Sequence, residues 1–284
     1  MKQEMSEALS GFLLLNKPIG MTSHTLVAQV RKKLGVKRVG HAGTLDPFAT
    51  GLMMVLVGHS TVMSQDLLGL DKVYEFEIKL GVETDTLDST GQITEEQPIP
   101  ELTEALLKAT LQEFEGEIEQ VPPAYSALKF QGRPLYEYMR TQGKLPMSIE
   151  NKRRKITIYS LELLSHTKTT ITCRAHVSSG TYIRVLAADI AKKLGTVGHC
   201  SVLNRSRIGQ FLLMNSCSLD SDLSLNHPTD LFPFEKVYLT QEFDKALDHG
   251  QKVPCGKDFS NQKVFVLASH RKSGFLANWP RIHS

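Results

Sequence analysis

From Val73 to Leu80 the chain alternates without a break: Tyr74, Phe76, Ile78 and Leu80 fall on one side, and Glu75, Glu77 and Lys79 on the other. Strict period-two alternation marks a half-buried strand, so Tyr74 belongs to the inner face although it carries a hydroxyl. The continuous apolar runs GFLLL (11–15) and LMMVLV (52–57) read as short strands, the second covered on both sides. Two more strands fit 155–164 and 169–177. A 3.6-residue period marks helices instead. In 22–35, Leu26, Val27, Val30 and Leu34 share a face, Thr22 or Ser23 can cap, and Gly35 stops the helix. Residues 100–116 read as an amphipathic helix closed by Gly116. In 178–195 the helix shows in Ile183, Leu186, Ala187, Ile190 and Leu194, with Gly195 ending it. TLDSTG (86–91) is a turn. Strands and helices follow no steady βαβ rhythm, which predicts an α+β fold with a mixed, largely antiparallel sheet flanked by helices. Residues 120–150 mix prolines, glycines, three tyrosines and bases, and read as an excursion from the main body. After about residue 240, short apolar pieces sit among polar turns. Some forty residues are too few for an independent core, so 241–284 is expected to pack on a main unit of 1–240.

Composition adds little until charge is mapped. With 284 residues, 41% hydrophobic and 22% charged, the chain is an ordinary soluble globular protein. Its longest uncharged apolar run, GLMMVLVG, is far too short to span a membrane, and acids precede the first apolar stretch, the wrong layout for a signal peptide. Cys173, Cys200, Cys217 and Cys255 lie far apart without a C-x-x-C pair, which fits reduced thiols in the cytoplasm. The net charge of +3 is uneven: residues 151–210 hold eleven Lys/Arg and two acids, +9, leaving −6 for the rest. A polyanion such as RNA is the natural partner for that block, because each neutralised phosphate releases counterions. The alternative is a solvated basic surface with no partner.

GHAGTLDPFATGLMMVLVG (40–58) contains one charged side chain other than histidine, Asp46. Gly40, Gly43 and Gly51 allow positive φ or close approach to a ligand, and Pro47 stiffens the residue beside the carboxylate. Either Asp46 is a nucleophile or it is a turn aspartate bonding local amides. A nucleophilic carboxylate must stay ionised while partly buried, which needs a cation nearby. Arg184, at a helix start in the basic block, is the candidate partner. Tyr182 and Arg184 project to the same side if 180–184 is extended and diverge if it is helical, and the sequence leaves both open. Tyr74 is otherwise a core tyrosine, Tyr182 a packing residue and Arg184 a phosphate or surface ligand. There is no P-loop, no G-x-G-x-x-G after a strand, no H-E-x-x-H and no G-x-S-x-G, and His199–Cys200 lacks further ligands at zinc spacing. A reaction without cofactor or metal, or no reaction, is expected.

Together these segments resemble the TruB family of tRNA pseudouridine synthases. LLLNKPIGMTSH (13–24) looks like the family's K-P-x-G-x-[TS]-S opening, and 40–58 like its G-H-x-G-T-L-D-P-x-A-x-G-x-L segment. DKVYEFEIKLGVETDTLDSTG (71–91), QVPPAYSALKFQGRPLYEYMR (120–140) and SSGTYIRVLAADIAKKLG (178–195) follow in family order. The resemblance implies a pseudouridine-synthase-like fold with a shortened PUA-like C-terminal region. It implies isomerisation of the uridine at position 55 in the tRNA T loop, without cofactor, after the base is flipped out. By position, Asp46 would be the nucleophile, Arg184 its paired arginine, and Tyr74 a stacking residue and general base. Tyr182 and Leu203 would line the uracil pocket, and His41 would face the disrupted loop. Asp46 would then stand isolated because a second nearby acid would favour its protonated form. Asn204 stands where the family usually has the first arginine of L-R-R, and Met139 where alanine is common. A monomer with no obligate protein partner is expected. The rivals are a tRNA-binding or tRNA-folding protein without catalysis, and an N-glycosidase for which Asp88 would have to fold beside Asp46 as a second carboxylate.

Overall fold

The computed structural model describes residues 9–145 and 152–232, together with the backbones of five short strands beyond them. In chain order the elements are β1 (Gly11–Lys17), α1 (Ser23–Leu34), β2 (Val39–His41), β3 (Thr50–Val57), α2 (Ser64–Leu68), β4 (Lys72–Leu80), β5 (Val82–Thr84) and β6 (Ile93–Glu96). There follow α3 (Glu104–Gln112), β7 (Gly116–Gln120), a hairpin of β8 (Lys129–Phe130) and β9 (Arg133–Pro134), α4 (Leu135–Gln142), β10 (Arg154–His166), β11 (Thr170–Val177), α5 (Ile183–Lys193), β12 (Gly198–Ile208) and β13 (Phe211–Leu212). The main sheet runs β1-β3-β12-β4-β11-β10-β7, with β2 on β3 and β13 on β12. Its neighbours are antiparallel except β3 and β12, which run parallel.

The alternation in β4 does what its pattern requires: Tyr74, Phe76, Ile78 and Leu80 are buried, and Glu75, Glu77 and Lys79 are half-exposed. On that inner face the sheet shares one core with Leu26 and Val30 of α1, Leu107 and Leu111 of α3, and Leu186 and Ile190 of α5. Each fully buried aliphatic side chain there contributes about 1.5–3 kcal/mol. The other face carries a smaller cluster in which Phe12, Leu14, Met54 and Leu56 meet Met63 and Leu67. The first helix begins and ends as its sequence demands. Thr22 accepts the Thr25 N–H, Gly35 takes a left-handed φ of 65°, and Arg31, Lys32 and Lys33 occupy the last turn, where the helix dipole favours cations.

Two sequence expectations need correction, and one strand went unread. The helix expected over 100–116 is only α3, and Gly116 (φ +100°) does not close it but opens β7. GEIEQ is an edge strand with four of its five residues wholly or partly exposed, so no apolar alternation betrays it. The central strand β12 was also invisible to periodicity. Register shifts between Cys200 and Val202 and between Arg205 and Arg207 break its period of two. Finally, the stretch 120–150 is not wholly an excursion, since Gln120, Tyr125 and Ser126 reach the pocket region described below.

The C-terminal piece expected over 241–284 lies outside the described residues apart from strand backbones. Just before it, β14 (Lys236–Leu239) runs parallel to β16 (Lys263–Ala268), and β16 pairs antiparallel with β17 (Phe275–Asn278). The two-residue strands β15 (Val253–Pro254) and β18 (Ile282–His283) pair in parallel.

Where β3 meets β12, Gly51 has φ +110°, and a Cβ there would collide with the backbone of Arg205 and lie 2.6 Å from Asn204 Oδ1. Gly51→Ala should therefore combine a strained φ with overpacking and cost about 2–4 kcal/mol. Urea denaturation would show it, and a loss below about 0.5 kcal/mol would refute the close approach.

Candidate active site

Asp46 sits in the loop between β2 and β3, and nearly every residue around it is pinned from elsewhere. The Ala42 N–H donates to Met54 O, and the guanidinium of Arg205, 1% exposed, donates to Gly43 O at 3.4 Å and Thr44 O at 3.3 Å. Ser23 Oγ accepts the Leu45 N–H at 2.9 Å and donates to Leu45 O at 3.0 Å. The Ala49 N–H closes on Asp46 O, while Pro47 O receives the Gly20 N–H and Lys17 Nζ. At a net ~1 kcal/mol each, these bonds hold the loop in one conformation and present the Asp46 carboxylate 35% exposed.

The cation is Arg184, 4% exposed in the first turn of α5. Its Nε donates to Asp46 Oδ2 at 2.8 Å, Nη1 to Thr86 O at 2.6 Å and Nη2 to Tyr125 O at 2.9 Å, and Nη1 lies 3.4 Å from Asp88 Oδ2. A planar fork of donors suits this set of acceptors, which a point-charge ammonium could not span. The question of whether 180–184 is extended or helical resolves between the two residues. Tyr182 is extended (φ −98°, ψ 106°) and the helix starts at Ile183. The Gln120 side chain fixes that switch like a rung of a strand ladder, accepting the Tyr182 N–H at 3.0 Å and donating to Tyr182 O at 3.3 Å.

Asp46 is therefore isolated in sequence but not in space, a second correction to the reading of its surroundings. Asp88 shares its guanidinium, with Oδ1 accepting from Thr86 Oγ1, Thr90 Oγ1 and Thr90 N at 2.6–3.0 Å. Both Asp88 oxygens are committed and Asp88 does not line the cavity, so the two-carboxylate arrangement of a glycosidase is not formed.

Asp46, Tyr74, Tyr182, Arg184 and Leu203 line one cavity of about 230 Å³, nearer the size of a single base than of a drug-sized ligand. Tyr74 and Leu203 reach it from β4 and β12, where Arg205 pairs with Tyr74 and Leu203 with Phe76. His41 is outside this lining, at the end of β2. Burial first, then His24 and Arg205, hold its imidazole below its ordinary range, and its Nδ1 is buried without a partner. Sequence reasoning missed Lys72, Ser126, Arg154 and Arg205 in the lining. The neighbours DK in DKVY and RR in NKRRK were the available signals for two of them.

The basic block is not one exposed face. Arg153, Lys155, Arg174, Lys192, Lys193 and Arg207 lie 2.7–3.5 Å from Glu119, Glu117, Glu75, Glu83, Glu113 and Asp71, all outside the block. Arg184 and Arg205 are buried. His199 Nδ1 is 2.7 Å from Val82 O, and burial pushes the neighbouring Cys200 thiol up, as it pushes Cys173 to about 12.

Lys72 Nζ donates to Leu68 O at 2.7 Å and Leu70 O at 2.6 Å, tying the end of α2 to the cavity wall. Burial, then Arg205, pushes this ammonium down to about 8 against the opposing pull of Asp71. In the unfolded chain the group keeps its proton to about pH 10.4, so between these values the unfolded state binds more protons and stability rises with pH. Wild type should gain about 1 kcal/mol per pH unit over Lys72→Met between pH 8 and 10 in urea titrations. A flat difference would contradict the assignment.

Residues 31–183 match the family described as TruB family pseudouridylate synthase, N-terminal domain. The chain is 42% identical over 260 residues to the tRNA pseudouridine synthase B of Hydrogenovibrio crunogenus, covering 89% of this chain and 84% of that one. It is 44% identical over 282 residues to the protein of that name from Marinomonas sp., covering 95% and 90%. A solved Cbf5-Nop10-Gar1 complex contains a chain of similar fold, with TM-score 0.65 and 24% identity over 95% of this chain and 78% of that one. The chain belongs to the TruB family of pseudouridylate synthases; it is an enzyme that isomerises uridine.

Proposed function

We propose that this enzyme acts on tRNA, converting the uridine at position 55 of the T loop to pseudouridine with Asp46 as nucleophile. The observation that carries the reading is the 2.8 Å Arg184–Asp46 pair in a cavity walled by Tyr74, Tyr182 and Leu203. A protein that only binds RNA gains nothing from a carboxylate turned toward a polyanion. A stacked uridine is out of reach of Asp46, so the nucleotide flips into the cavity, and stacking on Tyr74 offsets part of the unstacking cost of a few kcal/mol. Asp46, held in place by the guanidinium, attacks the nucleotide as the N1–C1′ bond breaks. The uracil turns, and C5 bonds to C1′ as the bond to Asp46 breaks. Tyr74 relays the C5 proton to solvent, and N1 takes a proton from solvent. Atoms balance without oxidant, hydrolysis or added group, so the reaction needs no cofactor. His41 faces the opened loop from outside the cavity. The enzyme works as a cytoplasmic monomer.

The test uses unmodified tRNA transcript tritiated at C5 of uridine. Release of one tritium per tRNA with no cofactor added, mapped to the T loop, is expected. Tight binding without release would replace this reading with that of a non-catalytic tRNA-folding protein.

A further inference from the structure

Most polar groups lining the cavity already have partners: Arg184 and Arg205 are bonded to carboxylate or carbonyl oxygens, and Lys72 to the end of α2. Two buried lining atoms have none among the described residues: Oγ of Ser126, which is 3% exposed, and Nε of Arg154. Arg154 begins β10, and its guanidinium carbon lies over the Tyr182 ring, 4.4 Å from the centroid. Gly180 (φ +82°) makes room for it, since a Cβ there would sit 3.2 Å from Arg154 Nη1. Among the described residues this guanidinium bonds no carboxylate or carbonyl, so the ring contact holds it in place while its donors remain uncommitted. A built but unsatisfied cation lining the same cavity as an unsatisfied hydroxyl is a site awaiting an anion.

We infer that Arg154 seats a backbone phosphate of the nucleotide whose base enters the cavity, with Ser126 bonding the same nucleotide; this rests on the RNA-isomerase reading above. A planar guanidinium matches two phosphate oxygens through parallel N–H bonds. A base cannot enter the cavity without drawing its own phosphodiester to the mouth, where Arg154 is the cation with donors to spare. Stacking on Tyr182 then couples the seating of the phosphate to the shape of the uracil pocket.

The experiment uses the full chain and a T-stem-loop RNA carrying a neutral methylphosphonate either 5′ or 3′ of the target uridine. For Arg154→Gln, KM rises about ten- to a hundredfold while kcat stays within about threefold. The slope of log Kd against log salt falls by about 0.7–0.9, the value for one lost phosphate contact. One of the two methylphosphonates costs wild type the same factor and costs Arg154→Gln nothing more. Arg154→Lys restores the salt slope and controls for folding. If both neutralisations multiply with the substitution, or the slope does not move, Arg154 only packs on Tyr182 and the inference falls. If wild type releases no tritium from the unmodified stem-loop, the functional reading falls first and takes the inference with it.

Discussion

Asp46→Asn should abolish tritium release, by at least about 10⁴-fold, while the affinity for tRNA changes by less than about threefold. The substitution is isosteric. The Asn carbonyl still accepts from Arg184 Nε, and the loop stays pinned through Ser23, Lys17 and Arg205, none of which bonds the Asp46 side chain. What disappears is the negative charge that the proposed mechanism uses for attack. Binding and catalysis therefore separate in this variant as they cannot in one that collapses the pocket. Residual turnover within tenfold of wild type would show that Asp46 is not the nucleophile.

Arg184→Met has the broadest expected effect. It leaves the buried Asp88 and the half-buried Asp46 without their shared cation, and strips donors from the Thr86 and Tyr125 carbonyls. Breaking one side of such a pair costs about 3–5 kcal/mol, since the partner charge stays buried and uncompensated. Activity should drop by at least about 10³-fold even when the folded fraction is held equal, because the Asp46 carboxylate loses the Nε–H donor that orients it in the cavity. Arg184→Lys keeps the charge but not the fork, so it should recover part of the stability and little of the rate. Urea midpoints and single-turnover tritium release on the same samples separate the two effects. A stable, fully active Arg184→Met would remove the guanidinium from the mechanism.

Much of this was legible in the sequence wherever a residue acts on its own neighbourhood. The period-two run of β4 put Tyr74 inside, Thr22 and Gly35 bounded α1, and the glycine-rich setting singled out Asp46. What stayed hidden acts across long separations through groups that have no sequence identity. Ser23, Arg205 and Lys17 all bond backbone carbonyls of the Asp46 loop, and a carbonyl looks the same beside any residue. Gln120 is one glutamine among many until Tyr182 is found against it, 62 residues away. The basic block misled for a related reason. Its charges are answered by acids on adjoining strands and helices, as Arg174 is by Glu75 on β4, and a count along the chain cannot pair them.

The guanidinium of Arg184 also sets an order of assembly. It gathers Asp46, Thr86 and Tyr125, which precede it by 138, 98 and 59 residues. Synthesis runs from the N-terminus, so the carboxylate emerges long before the cation that arms it. Leu203 and Arg205 of β12 come later still, so the cavity wall is complete only once β12 has paired with β4.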